Sequence, residues 1–462
     1  MDTATQFTRN NTVRREQHSS TGTTRSDELS SVSPNLLEMR IPESNGYLPI
    51  QTSFESPERI MLAPELSAGS SQAPSNTSSQ STSNAELCDR NRWHNLADNV
   101  LQGRDVSREQ ALEILQSSDD ELMDLISAAF RIRREHFGKT VQLYFLMNAK
   151  SGLCPEDCHY CSQSKISDAP IPKYSILSRD KLLDGARIAA ERQSKTYCIV
   201  ISGRAPNERE IKAIETIVPE IKQKYGLNIC ACLGLLNETQ AMRLAAAGVD
   251  KVNHNLNTSR EYYEEICTTH TFDDRVETLK NVRKAGLQLC SGGIIGMGES
   301  QRDIVEMAFS LRELNVESIP LNFLHAIDGT PMQQKEYLTP RDCLRALAMF
   351  RFVNPQSELR IAGGRERHLG SMQPLGLYVA NSIFVGDYLT TQGQAPSEDY
   401  RMIQDMGFEI TGQASLPGSC STSCSENTGC SDNHGCSDNH GCASTGHPAA
   451  EQSCCSKSGC GQ

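Results

Sequence analysis

No stretch of the 462-residue chain holds the ~20 consecutive apolar residues that a membrane-spanning helix requires, and the N-terminal region lacks the apolar core of a secretory signal. Both absences predict a cytoplasmic protein with no membrane partner. Aromatic residues are scarce at 5%, with a single Trp, and hydrophobic residues of every kind reach only 37%. A chain so diluted cannot be core throughout, which predicts a compact domain flanked by polar extensions. Basic charge is also short: 45 Lys and Arg stand against 57 Asp and Glu, a net charge of −12. That balance argues against a general grip on nucleic acid and leaves small-molecule chemistry.

Polarity is distributed in blocks. Residues 1–88 are rich in Ser, Thr, Asn and Gln without apolar periodicity, as in Gly69-Ser-Ser-Gln-Ala-Pro-Ser-Asn76. Such a segment cannot bury enough surface to offset its ordering entropy and is expected to be disordered. Its few early Arg residues would suit a targeting helix, but acidic residues and Pro interrupt one. Helical spacing begins near Trp93, and Ser107-Arg-Glu-Gln110 has capping-box form, so residues 89–140 read as a helical lead-in.

From residue 141 to 410, β-prone runs alternate with amphipathic helices. Strands are expected at 141–147, 197–202, 228–233, 251–255, 287–291, 318–323, 359–362 and 382–385. Helices are expected at 181–192, 208–225, 239–247, 273–285, 301–314 and 340–352. Eight strands in this rhythm predict an α/β fold, a (β/α)8 TIM-type barrel. A doubly wound open sheet is the alternative, but it usually has fewer strands and a Gly-rich phosphate turn after the first. Residues 411–462 contain one large aliphatic, Leu416, and no aromatic, so no core is expected there.

Against these scarcities stand 18 Cys. In a reducing compartment they point to metal or redox work rather than to a disulfide framework. Eight crowd the tail between Cys420 and Cys460, where Cys430, Cys436 and Cys442 recur six apart with His434 and His440 between them. A flexible Cys/His tail suits adaptable binding of soft ions, and a solvated low-complexity tail is the plain alternative.

Directly after the first expected strand comes Cys154-Pro-Glu-Asp-Cys158-His-Tyr-Cys161, three thiols on what must be a βα loop. Three thiolates can hold three irons of a [4Fe–4S] cluster and leave the fourth iron open. Zinc is the competing reading, but it normally takes four ligands in paired knuckles, and in sequence only His159 stands near enough to complete the set. Cys198, Cys230 and Cys290 fall in the second, third and fifth expected strands. Inward positions on separate barrel strands converge, so these thiols have the placement for a second cluster. The bland reading is three small buried hydrophobes.

The body of the chain resembles the biotin synthase family of radical S-adenosylmethionine enzymes. Besides the three-cysteine motif, the matching stretches are Tyr197-Cys198-Ile-Val200, Cys230-Ala-Cys-Leu-Gly234, Val252-Asn-His-Asn-Leu-Asn-Thr258, Leu289-Cys-Ser-Gly-Gly-Ile294, Ile319-Pro-Leu-Asn322, Leu359-Arg-Ile-Ala-Gly-Gly-Arg-Glu366, Ala380-Asn-Ser-Ile-Phe384 and Leu389-Thr-Thr391. They run in order across residues 95–410, and neither tail takes part. The three-cysteine motif alone names only the superfamily; the ordered set is specific to the family.

The resemblance implies that Cys154, Cys158 and Cys161 bind a [4Fe–4S] cluster with S-adenosylmethionine on its open iron. It implies that Cys198, Cys230, Cys290 and Arg360 hold a [2Fe–2S] cluster whose sulfide is transferred to dethiobiotin, closing the ring of biotin. Arg360 is an unusual ligand, since guanidinium is normally protonated, and a salt bridge at the barrel end is its ordinary reading. Tyr160, Asn255, Asn257 and Arg275 are implied as cofactor contacts, with Asn257 standing where many relatives have Asp and a helix-surface charge the plain alternative for Arg275. Asn253, Asn322, Thr390 and Thr391 are implied as substrate contacts, the asparagines offering amide donors and acceptors to a ureido ring.

Gly292-x-Ile-x-Gly-x-x-Glu299 fits an adenine-side turn, whereas the superfamily's Gly-Gly-Glu after strand two is here only Ser202-Gly203-Arg204. Further implied partners are a flavodoxin- or ferredoxin-type electron donor, the iron–sulfur assembly machinery and a second copy in a homodimer. Two other readings stand beside this one. A hydrogenase-cluster maturase or methylornithine synthase type of radical enzyme would share the first motif without needing the second set. A non-enzymatic metal-binding protein would explain the tail but not the ordered motifs.

Overall fold

The computed structural model describes residues 91–335 and 338–411. The N-terminal extension, Cys88 and the tail with its eight Cys lie outside them, as does any test of the metal-binding expectation for that tail.

Three helices lead in: α1 (Arg92–Leu101), α2 (Arg108–Leu115) and α3 (Leu122–Phe137). The Ser107/Gln110 capping box closes the start of α2 reciprocally, Gln110 N donating to Ser107 Oγ and Ser107 N to Gln110 Oε1. Apolar residues at helical spacing, among them Trp93, Ala97, Leu125 and Ile132, are buried. Arg133 of α3 is buried as well and donates to the carbonyls of Gly138, Thr140 and Ala380, tying the lead-in to the barrel.

The barrel then follows as β1 (Thr140–Lys150), α4 (Arg179–Glu191), β2 (Thr196–Ile201), α5 (Glu208–Tyr225), β3 (Asn228–Cys232), α6 (Glu238–Ala246), β4 (Lys251–Asn253), α7 (Phe272–Lys284) and β5 (Gln288–Cys290). It continues through β6 (Gly293–Ile295), α8 (Gln301–Glu313), β7 (Ser318–Phe323), α9 (Pro340–Val353), β8 (Glu358–Ile361), α10 (Arg365–Leu369), α11 (Gln373–Gly376), β9 (Ser382–Phe384), α12 (Pro396–Asp405) and β10 (Glu409–Ile410). Strands pair in parallel in the order β1-β2-β3-β4-β5-β7-β8-β9, and β1 pairs with β9 to close the ring. This is the expected (β/α)8 barrel. Unforeseen were β6, which pairs with β7, β10, which pairs with the start of β1, and α10, α11 and α12. Each is short or amphipathic only over a few turns, so local periodicity is weak there.

Capping residues at the starts of α5, α6, α7, α8 and α9 (Asn207, Asn237, Thr271, Ser300 and Thr339) make capping boxes with the residue three further on. Every one is a polar residue followed by a Glu, Gln or Asp, a start signal legible in sequence.

Strand alternation sorts the side chains into two layers. Tyr197, Ile199 and Ile201 of β2, Ile229 and Ala231 of β3, and Leu359 and Ile361 of β8 pack in the main core between sheet and helices. Tyr197 Oη even donates to Leu182 O of α4 at 3.1 Å. The alternate residues Tyr144, Cys198, Cys230 and Cys290 form a separate buried cluster inside the ring. Glycine closes the top of the sheet: a Cβ on Gly292 would lie 1.9 Å from Pro320 O, so the β5–β6 link can approach β7 only without one.

Candidate active site

One cavity of about 400 Å³ opens at the C-terminal ends of the strands, where such barrels place their chemistry. Its wall takes in every site residue read from the sequence: the loop cysteines, the strand cysteines with Arg360, the asparagines, Tyr160, Arg275, Thr390 and Thr391.

The three-cysteine loop leaves the end of β1. Backbone N–H groups of Glu156 and Gly203 favour the Cys154 thiolate, and those of Gln163 and Ser164 favour the Cys161 thiolate. Donors aimed at sulfur favour the thiolate. Burial works against them, raising Cys154 and pushing Cys161 up to about 11, so a bound cation is what would hold these sulfurs ionised. The donor set therefore fits an iron–sulfur cluster.

Cys158, the middle thiol, meets two residues that sequence spacing did not associate with it. Its Sγ lies 3.7 Å from Cys267 Sγ, and Cys267 Sγ lies 3.3 Å from His270 Nδ1. In sequence only His159 stands near the motif; the fold adds Cys267 and His270 from the β4–α7 loop. Asp157 binds the two loops together, its Oδ1 accepting from Thr268 N at 3.0 Å and Thr269 N at 3.2 Å, while His159 N donates to Ile266 O at 2.9 Å. The hydrogen bond from Cys158 lowers Cys267 to about 4, with His270 and Thr269 assisting against burial.

Arg275 is not the helix-surface charge that its spacing allowed. It is buried, and it donates to Asn255 O at 2.8 Å, to Tyr263 Oη and to His270 Nε2 at 2.8 Å. A guanidinium donor at Nε2 leaves the imidazole proton on Nδ1, where it points to Glu156 Oε2 at 2.5 Å.

Deeper in the ring, β2 and β3 place Cys198 and Cys230 as direct register partners, and β4 and β5 do the same for Asn253 and Cys290. Cys230 packs with Cys198 and Cys290 in one buried cluster. Arg360, 1% exposed on β8, turns Nη1 toward Cys290 Sγ at 3.8 Å, while its Nε is buried with no hydrogen-bond partner among the described residues. Three inward thiols beside an unsatisfied guanidinium nitrogen fit a second, smaller cluster. Cys232 lines the cavity two residues beyond Cys230 on the same strand and is half-buried.

Between the two thiol sets stand the amides. Asn253 Nδ2 donates to Asn255 Oδ1 at 2.9 Å and lies 3.4 Å from Cys290 Sγ. Asn255 Oδ1 also accepts from Gly292 N at 3.1 Å, and Asn322 Oδ1 accepts from Gly363 N at 2.9 Å. Asn257 adopts φ 72°, a conformation Asn tolerates, and donates to Tyr160 Oη at 2.5 Å. Thr390 meets Ser162 of the cysteine loop, Oγ1 to Oγ, at 2.8 Å. Glu299 accepts from Gly296 N and Met297 N and so fixes its own turn, whereas Arg204 pairs with Glu156 and with Thr269 O.

Comparison with known proteins agrees with this geometry. Residues 150–311 match the Radical SAM superfamily and residues 320–409 the Biotin and Thiamin Synthesis associated domain. Among solved structures, methylornithine synthase superposes with a TM-score of 0.61 at 17% identity, covering 68% of this chain and 97% of that one. The FeFe-hydrogenase maturase from Carboxydothermus hydrogenoformans gives 0.60 at 15%, covering 71% and 81%. Those likenesses define the fold alone; the superfamily match makes the chain a radical S-adenosylmethionine enzyme. Biotin synthase of Rhodopirellula baltica is 65% identical over 76% of this chain and 98% of its own, and that of Bacillus subtilis 54% over 72% and 99%. The chain belongs to the biotin synthase family. A [4Fe–4S] cluster and S-adenosylmethionine follow from the superfamily.

Proposed function

We propose that the enzyme inserts sulfur into dethiobiotin to form biotin, using Cys154, Cys158 and Cys161 for the [4Fe–4S] cluster and Cys198, Cys230, Cys290 and Arg360 for a [2Fe–2S] cluster. The observation that carries this assignment is the buried convergence of Cys198, Cys230 and Cys290 on Arg360 beneath the three-cysteine loop, in one cavity. A maturase or methylornithine synthase type of enzyme would need only the upper set.

When bound, the clusters and S-adenosylmethionine supply a primary radical able to take hydrogen from unactivated carbon, together with sulfide. The residues supply aim and burial. Tyr160, Asn255, Asn257 and Arg275 shape the cofactor side, Arg275 by holding Asn255 O and His270 together. Asn253 and Asn322 present amides to the ureido ring, and Thr390 and Thr391 face the carboxylate end of the substrate. The apolar walls, including Leu146, Val200, Ile294 and Phe384, keep water from the reacting carbon.

The division into a polar extension to residue 88, a helical lead-in, a barrel from 141 to 410 and a Cys/His-rich tail belongs to the same proposal. So do a flavodoxin- or ferredoxin-type electron donor, supply by the iron–sulfur assembly machinery, a homodimer and a cytoplasmic site of action. Among the described residues no helix is long and apolar enough to cross a membrane. Iron and acid-labile sulfide analysis of anaerobically prepared protein, followed by a dethiobiotin turnover assay, tests the reading; protein with a [4Fe–4S] cluster alone and no biotin would overturn it.

A further inference from the structure

A buried charged network lies on the floor of the barrel, next to the lower thiols, and the reaction as described leaves its Lys251, Tyr144 and Glu358 unused. Lys251, 5% exposed at the start of β4, is the register partner of Cys230. Its Nζ donates to Tyr144 Oη at 2.8 Å and stands 3.7 Å from Glu358 Oε2. Tyr144 Oη donates to the same Glu358 oxygen at 2.8 Å. The other Glu358 oxygen accepts from Arg360 Nη2 at 2.7 Å, and Ser318 Oγ accepts from that nitrogen at 2.7 Å. The guanidinium carbon of Arg360 lies 3.2 Å from the centroid of the Tyr144 ring.

The arms of the guanidinium are thus treated unequally. Nη2 is held by Glu358 and Ser318, whereas Nη1 is turned toward Cys290 Sγ. An arginine with four side-chain torsions would otherwise sample many orientations, and a carboxylate clamp on one nitrogen removes most of them. Within the network two cations face one carboxylate, with Tyr144 neutral between them. Lys251 keeps its charge beside three thiols in a low-dielectric interior even where Arg360 gives up a proton to act as a ligand.

Resting on the proposed [2Fe–2S] reading, we infer that Glu358 is the positioning residue that presents Arg360 to the lower cluster, and that Lys251 supplies a fixed buried cation that sets the cluster's reduction potential. Charge and hydrogen bonding around a cluster are what tune its potential, and a nearby cation makes an added electron easier to hold.

The test uses full-length protein carrying both clusters, with the [2Fe–2S] midpoint potential followed by anaerobic titration and [4Fe–4S] content read as the control for folding. Lys251→Met should shift the [2Fe–2S] potential downward, and Lys251→Arg should bring it back toward the wild-type value. Glu358→Gln, which keeps an acceptor for Nη2 but removes the charge clamp, should alter the visible spectrum of the [2Fe–2S] cluster. Where Lys251→Met loses [4Fe–4S] content as well, Lys251→Gln, which retains a donor to Tyr144, carries the same comparison. Wild-type protein with a [2Fe–2S] cluster whose potential is unmoved by the loss of the Lys251 charge overturns the inference. Wild-type protein that holds no [2Fe–2S] cluster overturns the reading beneath it, and the two failures are told apart by that measurement.

Discussion

Asn253 Nδ2 lies 3.4 Å from Cys290 Sγ, so a side chain assigned to the substrate touches a thiol assigned to the sulfur source. Register enforces the meeting, because Asn253 of β4 and Cys290 of β5 are direct partners in a parallel ladder and point the same way. On the proposed reading, that contact would keep the path of sulfur transfer short and fixed.

Replacing Asn253 by Ala should therefore weaken dethiobiotin binding while leaving both clusters in place. Loss of one neutral hydrogen bond costs about 1 kcal/mol, roughly fivefold in Kd. Calorimetric titration of anaerobic protein with dethiobiotin checks this; wild-type affinity in the variant would remove Asn253 from the substrate site.

Cys230 and Cys232, two residues apart on β3, share a face of the strand. Only Cys230 pairs with Cys198 and packs in the inner cluster with Cys290, whereas Cys232 sits higher on the cavity wall. Cys230→Ser should remove most [2Fe–2S] absorbance, and Cys232→Ser should keep it. Equal losses would show that the ligand register is wrong.

Acid should destabilise the enzyme through His254. This side chain is 6% exposed, its Nε2 has no hydrogen-bond partner among the described residues, and burial, followed by the charge of Arg275, holds its pKa well below 6.5. Below pH 6.5 the unfolded chain takes up a proton that the folded one refuses, so stability present above that pH is lost as pH falls toward the folded value. The slope contributed is at most about 1.4 kcal/mol per pH unit. Thermal midpoints recorded between pH 7.5 and 5.5 should fall less steeply for His254→Gln than for the wild type; parallel curves would exclude His254 as the source.

The tail should be dispensable for both clusters, because the described residues alone supply every donor assigned to them: Cys154, Cys158 and Cys161 for one, and Cys198, Cys230, Cys290 and Arg360 for the other. A chain ending at Thr411 should reach the wild-type iron and sulfide content of the two barrel sites and complete one turnover at the full-length rate. Loss of either cluster on truncation would make the tail part of the site.

Much of this was legible because barrels repeat one simple pattern. Runs such as Ser318–Phe323 marked the strands, and the amphipathic stretches expected from 273 and 301 begin within a residue of the observed helices Phe272–Lys284 and Gln301–Glu313. The three-cysteine loop was legible because its ligands are contiguous. Cys267, His270, Lys251 and Glu358 were not singled out, since nothing local in sequence says that residue 267 meets residue 158, or 358 meets 144. Arg275 shows the same limit from the other side: on a helix its period permits a surface charge, and only the packing of the β4–α7 loop against it buries the guanidinium.

The most direct test of the two-site account is a single-turnover assay that counts 5′-deoxyadenosine and biotin together in Cys154→Ala and Cys290→Ala. The account predicts neither product from Cys154→Ala, and deoxyadenosine without biotin from Cys290→Ala. Biotin at the wild-type yield from Cys290→Ala would contradict it.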